Sequence, residues 1–290
     1  MEKTIIYIVS DSRSGSTLLE NILSKSEDAL SVGELHHLDS HYNKGQWGKT
    51  WGWKCSCGSS LKKCVFWNKV FANLKLSGVN GISTTTVDYQ KFYWKYLPKL
   101  ASNFDTKENA KSLGILDHVY NSIFDISEKK VIIDSSKNPL QGLAIYEKLH
   151  YDVKVIYLKR DLRSLVLSKI KWHKKFSGKK ANIYKVLIAC VFFRLRCLDC
   201  LNKIEDKDKI VITYEDLSSN PQNTIGLILD KFEQQKFEVP KFMSFGNDDH
   251  TIGGSPNRFD TREIKYDDAW KSKIVKRPLF NNIANLFNRI

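Results

Sequence analysis

Four residues have the type and placement to act on an anion: Arg13, Glu34, Lys137 and Arg160. Arg13 lies in Ser10-Asp11-Ser12-Arg13-Ser14-Gly15-Ser16-Thr17, between the β-forming run Thr4 to Val9 and a helical pattern of Leu18, Leu19, Ile22 and Leu23. Small hydroxyl residues around Gly15 let successive backbone N–H groups converge at a helix start, where unpaired donors and the positive end of the dipole favour an anion. Arg13 adds a forked, permanently charged donor to that cradle. Gly15 is followed by Ser16-Thr17 and not by the Lys of a nucleotide-triphosphatase loop, so the phosphate loop lacks the usual lysine and Mg²⁺ machinery.

The elements that must carry these residues follow from the pattern. Ile5 to Val9 is short, β-branched and without alternation, which suits a strand buried on both faces of a parallel sheet. A strand–loop–helix–strand unit then returns the chain to the same sheet edge, so that Glu34, 21 residues after Arg13, ends near the anion loop. Val131 to Ser136 leads into Lys137-Asn138-Pro139 and a helix from Leu140 to Leu149, with Pro139 at its first position. Val153 to Leu158 ends at Lys159-Arg160-Asp161, and Ile210 to Tyr214 is a last strand. This order predicts an α/β fold: a P-loop-like, doubly wound parallel sheet with ligand groups just past the strand ends. The whole chain, 1–290, reads as one domain. Residues 40–130 form a mostly helical insertion over the sheet edge, with helical patterns at Phe66–Leu76, Val87–Leu100 and Lys107–Phe124. The aromatics Trp47, Trp51, Trp53 and Trp67 there suit an organic acceptor.

The formal charge of +14 points to anionic ligands. From Lys159 to Lys185 ten Lys/Arg stand against one acidic residue, yet Leu165, Val166, Leu167 and Ile170 in that window read as a buried helix face, so a nucleic-acid surface is not favoured. The longest apolar run, Val186 to Phe193, is eight residues and too short to span a bilayer; with no secretory leader, a cytoplasmic location is expected. His36 and His37 read as surface residues. Cys55, Cys57 and Cys64 form C-x-C-G-x5-C, which is not the paired spacing of an established zinc site; a reduced cluster or one disulfide is favoured over a Zn²⁺ completed by His36, His37 or His41. Cys190, Cys197 and Cys200 suit the core of a helix.

Taken together, these segments resemble the sulfotransferases that use 3′-phosphoadenosine 5′-phosphosulfate (PAPS), in the branch with protein-tyrosine, carbohydrate and many bacterial members. Ser12 to Leu19 is similar to that family's 5′-phosphosulfate loop, with Arg13, Ser14, Gly15, Ser16, Thr17 and Leu18 at the donor. Leu158 to Ser168 is similar to its 3′-phosphate motif, which implies Arg160 and Ser168 as phosphate ligands, although Leu162 stands where many members have Pro. Gly33-Glu34 resembles a Gly-Glu whose carboxylate is a general base, and Ser136-Lys137-Asn138-Pro139 a segment with a catalytic lysine. Tyr214-Glu215-Asp216-Leu217 matches a strand-end motif. The loop with Ser255, Asn257 and Arg258 resembles a feature of bacterial members and is polar enough to wrap an anionic donor. The resemblance implies a sulfuryl transfer from PAPS to a hydroxyl-bearing acceptor, a carbohydrate being the leading candidate, with Glu34 as base, Arg13 and Lys137 as catalytic cations, and no metal. A kinase-like nucleotide binder on the same fold and a basic nucleic-acid-binding protein are the competing readings.

Overall fold

The computed structural model describes residues 3–39, 41–42, 54–79, 107–246, 248–274 and 277–289, with 107–109, 256–257 and 273–274 described for backbone only. Its centre is β1 (Thr4–Ser10), every residue of which is buried. Alternation splits this strand between two cores, as a period of two requires. Ile5, Tyr7 and Val9 enter one hydrophobic cluster, and Ile6 and Ile8 enter another on the opposite face.

The other strands are β2 (Ala29–Gly33), β3 (Val131–Lys137), β4 (Asp152–Lys159) and β5 (Lys209–Thr213). They form a five-stranded sheet in the order β2-β3-β1-β4-β5, and every pairing in it is parallel. The doubly wound parallel sheet expected from the sequence is therefore the fold observed. The order reverses around β1, so the ends of β1, β2, β3 and β4 converge at one crevice.

Helix α1 (Ser16–Leu23) covers one face with Leu19, Ile22 and Leu23. On the opposite face, α2 (Val65–Leu76) and α3 (Lys107–Ser127) share a core with β1 and β2 through Trp67, Val70, Leu74, Leu116, Val119 and Ile123, a core that Leu140, Leu143 and Ile145 also enter. The described part of the insertion is thus largely helical. Tyr120 makes the join polar as well, donating to buried Asp134 of β3 at 2.5 Å. Trp47, Trp51, Trp53 and the Val87–Leu100 pattern lie outside the described residues.

Helix α4 (Pro139–Lys148) starts at Pro139, with the Asn138 side chain accepting from the Leu140 and Gln141 amides. Helices α5 (Leu162–Ser177) and α6 (Ile183–Leu201) pack with Phe280 and Ala284 through Leu162, Leu165, Val166, Leu187, Cys190 and Val191. The apolar run Val186–Phe193 is therefore a core helix segment, and among the described residues no helix is long and apolar enough to cross a membrane.

Candidate active site

The turn after β1 is held in a conformation that ordinary residues avoid. Arg13 has φ 73° and Gly15 φ 97°, and Lys137, the last residue of β3, has φ 69°. Non-glycine residues in the left-handed region cluster at working sites because the surrounding packing must enforce them. Gly15 also admits a neighbour: a Cβ there would stand 2.4 Å from the Tyr214 ring. The amides of Ser16 and Thr17, in the first turn of α1, are among those a helix leaves without internal partners.

Two guanidinium groups meet at this turn. Arg160, just past β4, donates from Nη1 to the Arg13 carbonyl at 2.8 Å and from Nε to the Ser164 hydroxyl at 2.9 Å. Arg13 reaches the Ser168 hydroxyl at 3.5 Å. Each cation lies over an aromatic ring, Arg13 over Trp172 at 4.8 Å and Arg160 over Tyr214 at 4.2 Å. Burial and the adjacent Arg160 charge press the Arg13 pKa below its ordinary value. Among the described residues neither arginine makes an ion pair with a carboxylate, whereas Arg163 is paired with Asp161 and Lys169 with Asp11. Two buried-side cations without anions are a site for an anion.

Across the crevice, Glu34 follows β2 and is 7% exposed. Its Oε1 takes an ion pair from Lys137 and the Gly254 amide at 2.8 Å. Its Oε2 lies 3.5 Å from His37 Nε2 and 3.9 Å from His36 Nε2. Burial alone would raise this carboxyl, but Lys137 and the two imidazoles outweigh it and hold the pKa at about 2. Burial also lowers both histidines, and Lys137 is the largest of the charges that act on Glu34. His36 and His37 are thus half-buried against the carboxylate, contrary to the surface position expected from sequence. Glu34, His36 and His37 could also close around a metal ion, but the Lys137 ammonium already supplies positive charge to this carboxylate.

The tail loop ties the two halves together. Ile252 bridges to β2, its amide donating to the Val32 carbonyl at 3.0 Å and its carbonyl accepting from the Glu34 amide at 2.7 Å. A Cβ on Gly33 would stand 2.1 Å from the Ile252 oxygen, so only glycine fits that crossing. The Ser255 amide then donates to the Thr17 hydroxyl at 3.1 Å. Arg258 is 1% exposed and donates to the Lys54 carbonyl, so its contact is with the cysteine segment rather than with the anion loop. The Asn257 side chain lies outside the described residues.

Ser14, Ser16 and Thr17 are buried, and Leu18 closes the turn through its amide on the Gly15 carbonyl at 2.9 Å. A family model described as a sulfotransferase domain matches residues 3–238. The chain belongs to the sulfotransferase domain family. Two solved structures resemble it over almost their full length. The sulfotransferase domain from the curacin biosynthetic pathway is 21% identical with a TM-score of 0.60, covering 99% of this chain and 98% of that one. The sulfotransferase domain of the Synechococcus PCC 7002 olefin synthase is 20% identical with a TM-score of 0.58, covering 99% and 95%. At this identity the likeness speaks for the fold. No curated protein matches the sequence.

Within this sulfotransferase domain, several site residues carry no motif. Glu20 of α1 is buried beneath the crevice, accepts from Ser135, and is pushed up to about 7 by burial, against the downward pull of Ser135 and Lys137. An acid inside the apolar run Leu18–Leu23 was the available signal. Ser164 and Trp172 stand one turn either side of Ser168 on α5, where helical spacing alone aligns them with the arginines. No disulfide joins the members of the cysteine trio. The imidazole beside it is His250, whereas His36 and His37 sit at Glu34.

Proposed function

We propose that this transferase moves the sulfuryl group of PAPS onto a hydroxyl group, a carbohydrate being the first acceptor to test. The observation that carries the reading is the Arg13–Arg160 pair, free of carboxylates among the described residues, facing a helix start and lying across from Lys137 and Glu34. A donor with two separate phosphate positions suits two cations placed at the ends of adjacent strands. On this reading Ser14 to Leu18 and Arg13 hold the 5′-phosphate, and Arg160 with Ser168 holds the 3′-phosphate. On the same reading Tyr214, stacked under Arg160, and Ser255, whose amide donates to Thr17, border the donor, whereas Arg258 serves the cysteine segment.

Sulfuryl transfer resembles phosphoryl transfer in placing charge on the bridging oxygen as the bond to the leaving phosphate breaks. Fixed cations at that oxygen therefore lower the barrier. Arg13 and Lys137 have that role. Lys137 also holds Glu34 far below the range of a useful base, so its two tasks are coupled. When the ammonium turns from Glu34 toward the leaving group, burial takes over and the Glu34 pKa rises, giving a base at the moment the acceptor hydroxyl must lose its proton. The Gly254 amide keeps the carboxylate aimed.

The test is transfer of label from PAPS carrying ³⁵S to a panel of sugars, phenols and aliphatic alcohols, with no added divalent cation. Acceptor-dependent labelling that ATP does not inhibit supports the reading. Binding and turnover of ATP instead would establish the kinase-like alternative, and the missing lysine after Gly15 argues against that outcome.

A further inference from the structure

A second constellation lies on the far side of the tail loop and plays no part in the chemistry above. Cys55 and Cys64 are 0% and 1% exposed, and Cys57 and His250 are half-buried. The Cys57 and Cys64 sulfurs are 3.7 Å apart and those of Cys64 and Cys55 3.8 Å apart. The His250 Nδ1 stands 3.4 Å from the Cys64 sulfur and 3.7 Å from that of Cys55. All four ligand atoms lie within 4.8 Å of one another.

Four of the six edges match those of a metal tetrahedron. With Zn–S of about 2.3 Å and Zn–N of about 2.05 Å, tetrahedral angles separate two sulfurs by about 3.8 Å and a sulfur and a nitrogen by about 3.6 Å. A disulfide would need sulfurs about 2.05 Å apart and would leave one thiol over. Cys55 to Ser60 is folded as a tight knuckle: the Cys55 amide donates to the Ser59 carbonyl at 2.8 Å, Gly58 turns with φ 84° and donates to the Cys55 carbonyl at 2.9 Å, and Lys54 bridges to Ser60. The fourth ligand is fixed independently. The His250 ring stacks on Phe66 with centroids 4.7 Å apart, and its carbonyl accepts from Trp67 Nε1 at 2.9 Å. Ser56 exchanges two further hydrogen bonds with Thr251, at 3.1 and 2.8 Å.

We propose that Cys55, Cys57, Cys64 and His250 Nδ1 bind one Zn²⁺ in a closed, four-coordinate structural site. Binding deprotonates three thiols, so the cluster carries one net negative charge. That charge has a candidate partner: buried Arg258 donates to the carbonyl of Lys54, the residue before Cys55, and its Nε and Nη1 have no hydrogen-bond partner among the described residues. The metal clamps the insertion to the loop that supplies the Gly254 amide to Glu34 and the Ser255 amide to Thr17. It acts on the active site through position only.

The test is metal analysis of the full chain, followed by replacement of the metal with Co²⁺. The proposal expects about one zinc per chain, tetrahedral d–d absorption with thiolate charge transfer in the cobalt form, and thiols at Cys55, Cys57 and Cys64 that react with Ellman's reagent only after the metal is removed. His250→Ala and Cys57→Ala should each weaken Co²⁺ and Zn²⁺ by more than the roughly 10–100-fold typical of an outer-sphere partner. His250→Cys should keep the metal and shift the cobalt spectrum toward four thiolates, which also covers the case in which His250→Ala fails to fold. A folded protein that binds neither Zn²⁺ nor Co²⁺ while these thiols react freely would overturn the proposal. So would a cobalt spectrum unchanged by both His250 substitutions.

Discussion

Lys137→Met removes the cation that holds Glu34 ionised inside the protein, and the size of the effect follows from the Glu34 pKa. In the wild type that carboxyl lies at about 2 against an ordinary 4.5. A depressed acid contributes stability that is complete above its unfolded value and is lost as pH falls through its folded value. At 1.36 kcal/mol per pKa unit, the surroundings of Glu34, with Lys137 the largest charge among them, are worth about 3 kcal/mol above pH 4.5. Without Lys137, burial leaves the carboxyl above 4.5, so the variant gains nothing from Glu34 and loses a further ~1.4 kcal/mol per pH unit until the raised pKa is passed. The destabilisation should therefore be about 1 kcal/mol at pH 3, about 3 kcal/mol at pH 4.5, and larger at pH 7. Urea denaturation of both proteins at these pH values measures it. Adding Glu34→Gln to Lys137→Met should restore most of the stability, because a buried pair replaced by neutral groups costs little, while leaving turnover low. A loss of stability independent of pH, or a double variant no better than the single one, would refute the ion pair as the origin of the effect.

Glu34→Gln alone should fold and bind the donor but lose roughly 10²–10⁴-fold in kcat; a phenol of low pKa should recover part of that rate in Glu34→Gln and none in Lys137→Ala. Near-native turnover of Glu34→Gln would move the base to His36 or His37. Glu20 titrates in the opposite sense to Glu34: its folded pKa of about 7 is raised, so its stability contribution is present below pH 4.5 and lost as pH rises through 7. Glu20→Gln should flatten that decline by up to about 3 kcal/mol, read from thermal melts between pH 5 and 8. Arg13→Ala should reduce both donor affinity and kcat, separable by single-turnover measurement with labelled PAPS.

What the sequence revealed and what it hid divide along one line. Residues just past strand ends were legible because a buried parallel strand is a continuous apolar run and a doubly wound sheet gathers the strand ends at one crevice. Arg13, Glu34, Lys137 and Arg160 all stand at those ends. Contacts made across the fold left no local trace. His250 is 186 residues from Cys64, so no spacing rule could join them, and three nearer histidines offered false partners. His36 and His37 looked exposed because adjacent polar residues at a strand end usually are, yet both are half-buried with their Nε2 atoms turned to the Glu34 carboxylate. The two described helices of the insertion were readable from periodicity.

The most direct measurement of the central claim is calorimetric titration with adenosine 3′,5′-bisphosphate, the desulfated form of PAPS, with no added divalent cation. The arginine pair predicts stoichiometric binding that ATP does not displace. Arg160→Ala should weaken that binding by about 2–3 kcal/mol, roughly 30- to 150-fold, and Ser168→Ala should weaken it less. Unchanged affinity in Arg160→Ala, or no binding by the wild type, would contradict the donor site assigned to this crevice.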